Sequence, residues 1–102
     1  MSEIVYIVKM TAAEGRRDEA LAVLGKLVAS TEDEPGTLQY AMHADDADGD
    51  VIWFYERYED KAAFDAHLSS AAMAEAIGSL GGMLAGAPEL RQVEVTHRKG
   101  GL

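Results

Sequence analysis

The chain has 102 residues, which gives room for one hydrophobic core and excludes a second, because cores grow to about 100 to 150 residues before a chain divides. Hydrophobic residues at 48%, charged residues at 26% and only two prolines describe a globular chain, and the absence of cysteine excludes disulfides, thiolate nucleophiles and cysteine metal sites. Eighteen acidic against nine basic side chains give a net charge of −9, which argues against nucleic acid and anionic membranes as partners, since both are recognised through Lys and Arg.

Ile4 to Met10 is a β-branched and aromatic run and predicts the first strand. Between Thr11 and Thr31, Ala20, Leu21, Leu24, Leu27 and Val28 recur at helical spacing, with Arg16, Arg17, Glu19 and Lys26 on the other side. The acidic stretch Glu32-Asp33-Glu34 and then Pro35-Gly36 end that helix in a turn. Thr37 to His43 alternates as a second strand, with Leu38, Tyr40 and Met42 on one face. The Asp45 to Asp50 run is turn chemistry, and Val51 to Tyr58 after it is the strongest strand signal, so the two strands form a hairpin.

Through Trp53, Phe54 and Tyr55 the third strand is apolar on both faces, which predicts cover on each side. Asp60 is a natural N-cap for a short helix that aligns Phe64, His67 and Leu68. Met73, Ile77, Leu80 and Leu84 keep helical spacing until Gly78, Gly81 and Gly82 weaken it, and Leu90 to Thr96 reads as the last strand. Residues 1–97 then make a single domain, and residues 98–102 a basic tail expected to be mobile. The order β-α-β-β-α-β is that of an α+β ferredoxin-like split β-α-β fold, an antiparallel sheet with its helices on one face. Its open face predicts a homodimer through Trp53 and Tyr55. No basic stretch precedes an apolar run at the start, and no apolar run approaches the ~18 residues of a membrane span, so a soluble cytoplasmic protein is the default.

His43, His67 and His97 share no short ligand spacing, which gives no metal site from sequence. Taking Gly49 as a calcium-loop glycine would put Ala44 and Tyr55 in the first and last ligand positions, so that motif fails. No P-loop, G-x-G-x-x-G or G-x-S-x-G motif occurs either. His67 is the best candidate for acid-base work, because it shares a helix face with Phe64 and Leu68. Its plainer alternative is a core histidine holding one hydrogen bond, for instance to a tyrosine hydroxyl. Ile52, Phe54, Glu56 and Tyr58 alternate opposite Trp53 and Tyr55, which would aim a carboxylate and a phenol at His67. A buried Glu56 would need a partner, His67 or an arginine.

Two stretches, Glu34-Pro35-Gly36-Thr37-Leu38-Gln39-Tyr40 and Glu56-Arg57-Tyr58-Glu59-Asp60-Lys61-Ala62-Ala63-Phe64-Asp65-Ala66-His67, resemble the antibiotic biosynthesis monooxygenase family. The resemblance implies a homodimeric α+β barrel with a pocket between helices and sheet in each chain. It also implies oxygenation of a small electron-rich aromatic, quinol or polyketide-like, by dioxygen without metal or flavin. On that implication His67 handles the proton, Tyr58 or Tyr40 orients the substrate oxygen, Phe64, Leu68 and Ile77 form the apolar wall, and Tyr6 and Glu56 assist. Haem-degrading members carry an asparagine and a ligating histidine where this chain has Val8 and Ile77, which disfavours haem. A branch that isomerises a small phosphorylated signalling molecule finds little support in so acidic a chain. The competing class is a non-catalytic ligand-binding or stress-response dimer of the same fold.

Overall fold

The computed structural model describes residues 3–100. In chain order it has β1 (Ile4–Thr11), α1 (Arg17–Ser30), a 3-10 turn (Thr31–Asp33), β2 (Thr37–Ala44), β3 (Val51–Tyr58), α2 (Lys61–Leu68), α3 (Ala71–Ser79) and β4 (Glu89–Val93). The strands form one antiparallel sheet in the order β2-β3-β1-β4. This is the ferredoxin-like α+β arrangement that the sequence pattern predicts, with the helical segment after β3 divided in two. Ser70 makes that division: its hydroxyl donates to the His67 carbonyl at 2.8 Å and accepts from the Met73 amide at 3.1 Å, which starts α3.

The core lies between the sheet and the helices. Val8, Ile52 and Phe54 from the sheet pack with Ala20, Leu24 and Leu27 of α1 and Ala76 of α3, and Tyr6, Met10, Tyr40 and Met42 flank them. Because strand side chains alternate, Glu56 and Tyr58 share this helix-facing side, whereas Trp53 and Tyr55 lie on the opposite, open side. Trp53 is fixed there by its indole N–H, which donates to Asp45 Oδ2 at 2.8 Å. The Lys9 ammonium sits 5.8 Å from the same ring. Residues 94–98 run past the sheet and, with Gln39, Ala41, His43 and Tyr55, border a groove of about 520 Å³ on that open side.

Two expectations change, at Leu38 and at the end of the last strand. Leu38 does not join Tyr40 and Met42 in the core, because the β2–β3 register shifts between Thr37 and Gln39. Such a bulge re-aims a side chain: Leu38 turns outward and Thr37 faces the helices opposite Tyr58. Arg17, on the side of α1 away from the apolar stripe, donates from Nη1 to the carbonyls of Asp45, Asp48 and Val51 and ties the hairpin turn to α1. The last strand stops at Val93 instead of Thr96. Of the tail, Arg98 Nη1 lies 3.5 Å from Glu3 Oε1, while Gly101 and Leu102 lie outside the described residues. Among the described residues no helix is long and apolar enough to cross a membrane.

Candidate functional site

The site is built on α2. Asp60 Oδ1 accepts the Ala63 amide at 2.9 Å, a true N-cap that fixes where the helix starts and therefore which residues face inward. Phe64 stacks on Tyr6 with ring centroids 4.7 Å apart and meets Tyr58 edge-on at 5.2 Å. One turn later His67 is 1% exposed, its ring 4.8 Å from that of Tyr40 and 5.6 Å from that of Tyr58.

No tyrosine hydroxyl holds the His67 ring. Its Nδ1 lies 2.9 Å from Glu34 Oε1, and its Nε2 has no hydrogen-bond partner among the described residues. Glu34 follows the 3-10 turn, its amide donating to the Thr31 carbonyl at 2.9 Å and its own carbonyl accepting from the Thr37 amide at 3.0 Å. The hydroxyl of Thr37, inward because of the bulge, donates to Glu34 Oε1 at 2.8 Å. Glu34 is the one side chain hydrogen-bonded to the His67 ring among the described residues, and sequence reasoning did not place it there. It is separated from His67 by 33 positions and sits in an acidic stretch that reads as a turn, so nothing local marks the pair.

Glu56 is buried and takes a hydrogen bond from Tyr58, whose hydroxyl donates to Glu56 Oε1 at 2.6 Å, while His67 acts on it through its charge. Burial raises the Glu56 carboxyl above the usual carboxylate range, against the lowering effects of the Tyr58 hydrogen bond and of His67. Burial also pushes both phenols up: Tyr58 with the Glu56 charge adding to it, and Tyr40 with Glu56 and then Glu34 adding. Tyr40 and Tyr58 are therefore neutral hydrogen-bonding groups here and do not serve as bases.

A cavity of about 430 Å³ opens between helices and sheet. Its polar lining is Tyr40, Glu56 and His67; Val8, Phe64, Met73 and Leu90 are among the apolar remainder. Leu68 and Ile77, expected as inner wall, do line it, but at 47% and 65% exposure they belong to its rim. Tyr58 and Tyr6 stand behind the lining, Tyr58 spent on Glu56 and Tyr6 stacked on Phe64. His43 and His97 border the groove on the open face of the sheet, across the sheet from His67. Among the described residues no group of three or more His, Cys, Asp or Glu side chains is placed to hold a metal ion.

What these side chains can do is limited and specific: accept a proton at one imidazole nitrogen, hydrogen-bond an oxygen, and hold an apolar ring out of water. A family model described as antibiotic biosynthesis monooxygenase matches residues 3–79. Solved structures share the fold. A Pseudomonas aeruginosa protein is 25% identical, covers 95% of this chain and 97% of its own, and superposes with a TM-score of 0.88. A Caulobacter crescentus protein assigned to the antibiotic biosynthesis monooxygenases is 22% identical over 94% of this chain and 92% of its own, with a TM-score of 0.87. A Mycobacterium tuberculosis protein is 22% identical over 95% and 98%, with a TM-score of 0.85. No curated protein matches the sequence.

Proposed function

The chain belongs to the antibiotic biosynthesis monooxygenase family, and on that premise we propose that its cavity binds a small electron-rich aromatic compound, quinol or polyketide-like, and oxidises it with dioxygen. The observation that carries this is the unpartnered Nε2 of a buried His67 on the wall of an otherwise largely apolar cavity. A buried polar atom without a partner is costly, and a ligand hydroxyl would satisfy this one.

In the proposed chemistry His67 Nε2 takes the substrate's acidic proton; the X–H bond breaks and the anion keeps its electron pair. The anion gives one electron to dioxygen, and the resulting radical and superoxide join as a carbon–oxygen bond. The imidazolium returns its proton to the peroxide, giving a hydroperoxide; the remaining C–H bond at that carbon then breaks, its electron pair forming the C=O bond as the O–O bond breaks, and its proton leaves with the departing hydroxide as water. The product has lost two hydrogens and gained one oxygen atom, the second oxygen leaving as water. Electrons come from the substrate, so the residues have only to bind, hold the anion and exclude water. Tyr40 orients the substrate oxygen, Phe64 walls the ring, Leu68 and Ile77 guard the mouth, and the Glu56–Tyr58 pair with Tyr6 supports this inner wall.

The same proposal includes a homodimer, a second copy covering the open face that carries Ile7, Trp53, Tyr55 and Val93. A monomer of this mass is expected to expose roughly 5,600 Å²; this chain exposes 6290 Å². On the open side Gln39 Oε1 is buried without a hydrogen bond among the described residues.

Oxygen uptake with a panel of hydroquinones and anthrones tests the activity. Wild type should consume oxygen, and His67→Ala should do so at least about 10²-fold more slowly, the usual contribution of a general base. Binding of those compounds without uptake would establish the non-catalytic ligand-binding alternative, and equal uptake by the variant would remove His67 from the chemistry.

A further inference from the structure

We infer that Glu34 is a positioning residue for His67: it holds the ring in the tautomer with the proton on Nδ1 and leaves Nε2 bare toward the cavity. This rests on the proton transfer proposed above, and deepens it. A neutral imidazole has one donor and one acceptor nitrogen, and the partner of one nitrogen fixes the state of the other. A carboxylate oxygen accepts and cannot donate, so the 2.9 Å approach of Glu34 Oε1 to Nδ1 requires the hydrogen on Nδ1.

The carboxylate is itself immobilised. Thr37 Oγ1 donates to the same Oε1 at 2.8 Å, and backbone hydrogen bonds to Thr31 and from Thr37 fix the residue on either side. From the other direction, Gly36 lies against Ala63 of α2, one helical turn before His67, so the turn that carries Glu34 and the helix that carries the imidazole are packed in one register. The pair also spans the boundary of the fold: the Glu34 side chain is 19% exposed and that of His67 1%. When the hydroxyl O–H of a bound phenol breaks and Nε2–H forms, the phenolate keeps the electron pair, and the positive ring is left hydrogen-bonded to the partly solvated carboxyl group of Glu34. No other acidic side chain hydrogen-bonds the ring among the described residues.

The test reads the tautomer directly. Nitrogen-15 ring correlation spectra of the full chain at pH 8.5 should show His67 with Nδ1 protonated and Nε2 unprotonated. In Glu34→Ala the ring should pass to the Nε2–H form or to a mixture. A wild-type ring that is Nε2–H or doubly protonated would overturn the inference, and so would an unchanged Nδ1–H tautomer in the variant. The wild-type spectrum decides the matter even where the variant does not fold. With an active quinol, Glu34→Ala should lower kcat by about 10²-fold or more, as loss of a tautomer-fixing carboxylate does elsewhere, with KM within about threefold; an unchanged kcat overturns the role. If no compound turns over with wild type, the monooxygenase proposal fails while the tautomer result stands.

Discussion

Replacing Gly36 with alanine should push α2 off the sheet. A Cβ at this position would meet Ala63 Cβ at 2.5 Å, whereas ordinary contact begins near 3.4 Å. The neighbour is a rigid methyl on a helix and has no rotamer to escape into, so relief takes a shift of about 1 Å, on the order of the gap between clash and contact. The same shift would stretch the Glu59 amide to Gly36 carbonyl bond, now 2.9 Å, and the 2.9 Å His67–Glu34 pair. Added by 1 Å, the latter exceeds hydrogen-bond length. Overpacking of this kind costs about 1 to 3 kcal/mol, offset by about 0.4 to 1 kcal/mol from the stiffer unfolded chain. A net loss of about 1 to 2 kcal/mol follows, read as a lower urea midpoint by Trp53 fluorescence at fixed protein concentration. Ala63→Gly alone should cost about 1 kcal/mol of helix propensity. The double variant should be no less stable than Ala63→Gly by itself, a coupling of about 1 to 2 kcal/mol. Additivity within about 0.5 kcal/mol, or a stable Gly36→Ala, would refute the proposed seating of α2 on the turn.

Two further outcomes follow from the buried acid and the open face. The raised Glu56 pKa means that the folded state binds the proton more tightly than the unfolded chain, so its contribution is fully present below the usual value of 4.5 and is lost as pH rises through the folded pKa. Stability of wild type relative to Glu56→Gln, whose amide oxygen can still accept from Tyr58, should therefore fall as pH rises above about 4.5; a difference flat with pH would contradict this. Ile7→Lys should leave the monomer folded and raise the dimer dissociation constant by about 10²-fold or more in sedimentation, since it places a charge in the proposed interface beside Arg91. A dimer of unchanged affinity would place the interface elsewhere. Trp53 is a poorer position for the same charge, because Asp45 stands ready to pair with it.

Much of this architecture could be read from the chain, and what escaped did so for identifiable reasons. The bounds of β3, the Asp60 cap and the sorting of Glu56 from Tyr55 rest on period-two alternation and local capping, both written in adjacent residues. The Leu38 bulge breaks that same alternation without a glycine or proline inside the strand to announce it. Glu34 escaped because a hydrogen bond across 33 positions has no local signature. Leu68 and Ile77 fall on the expected helix faces, but α2 and α3 are short and sit at the edge of the core, so periodicity alone could not separate wall from rim. The Arg17 clamp was hidden because a charged residue on a helix is solvated by default, and three carbonyls converging on it come from a turn 28 or more residues away.

The most direct measurement is anaerobic mixing of the protein with an anthrone whose anion absorbs in the visible. With oxygen absent, only the first step can occur. Wild type should develop the anion band on binding and His67→Ala should bind without it. An anion band of equal size in both, or none in either at saturating ligand, would contradict the assignment of His67 Nε2 as the proton acceptor.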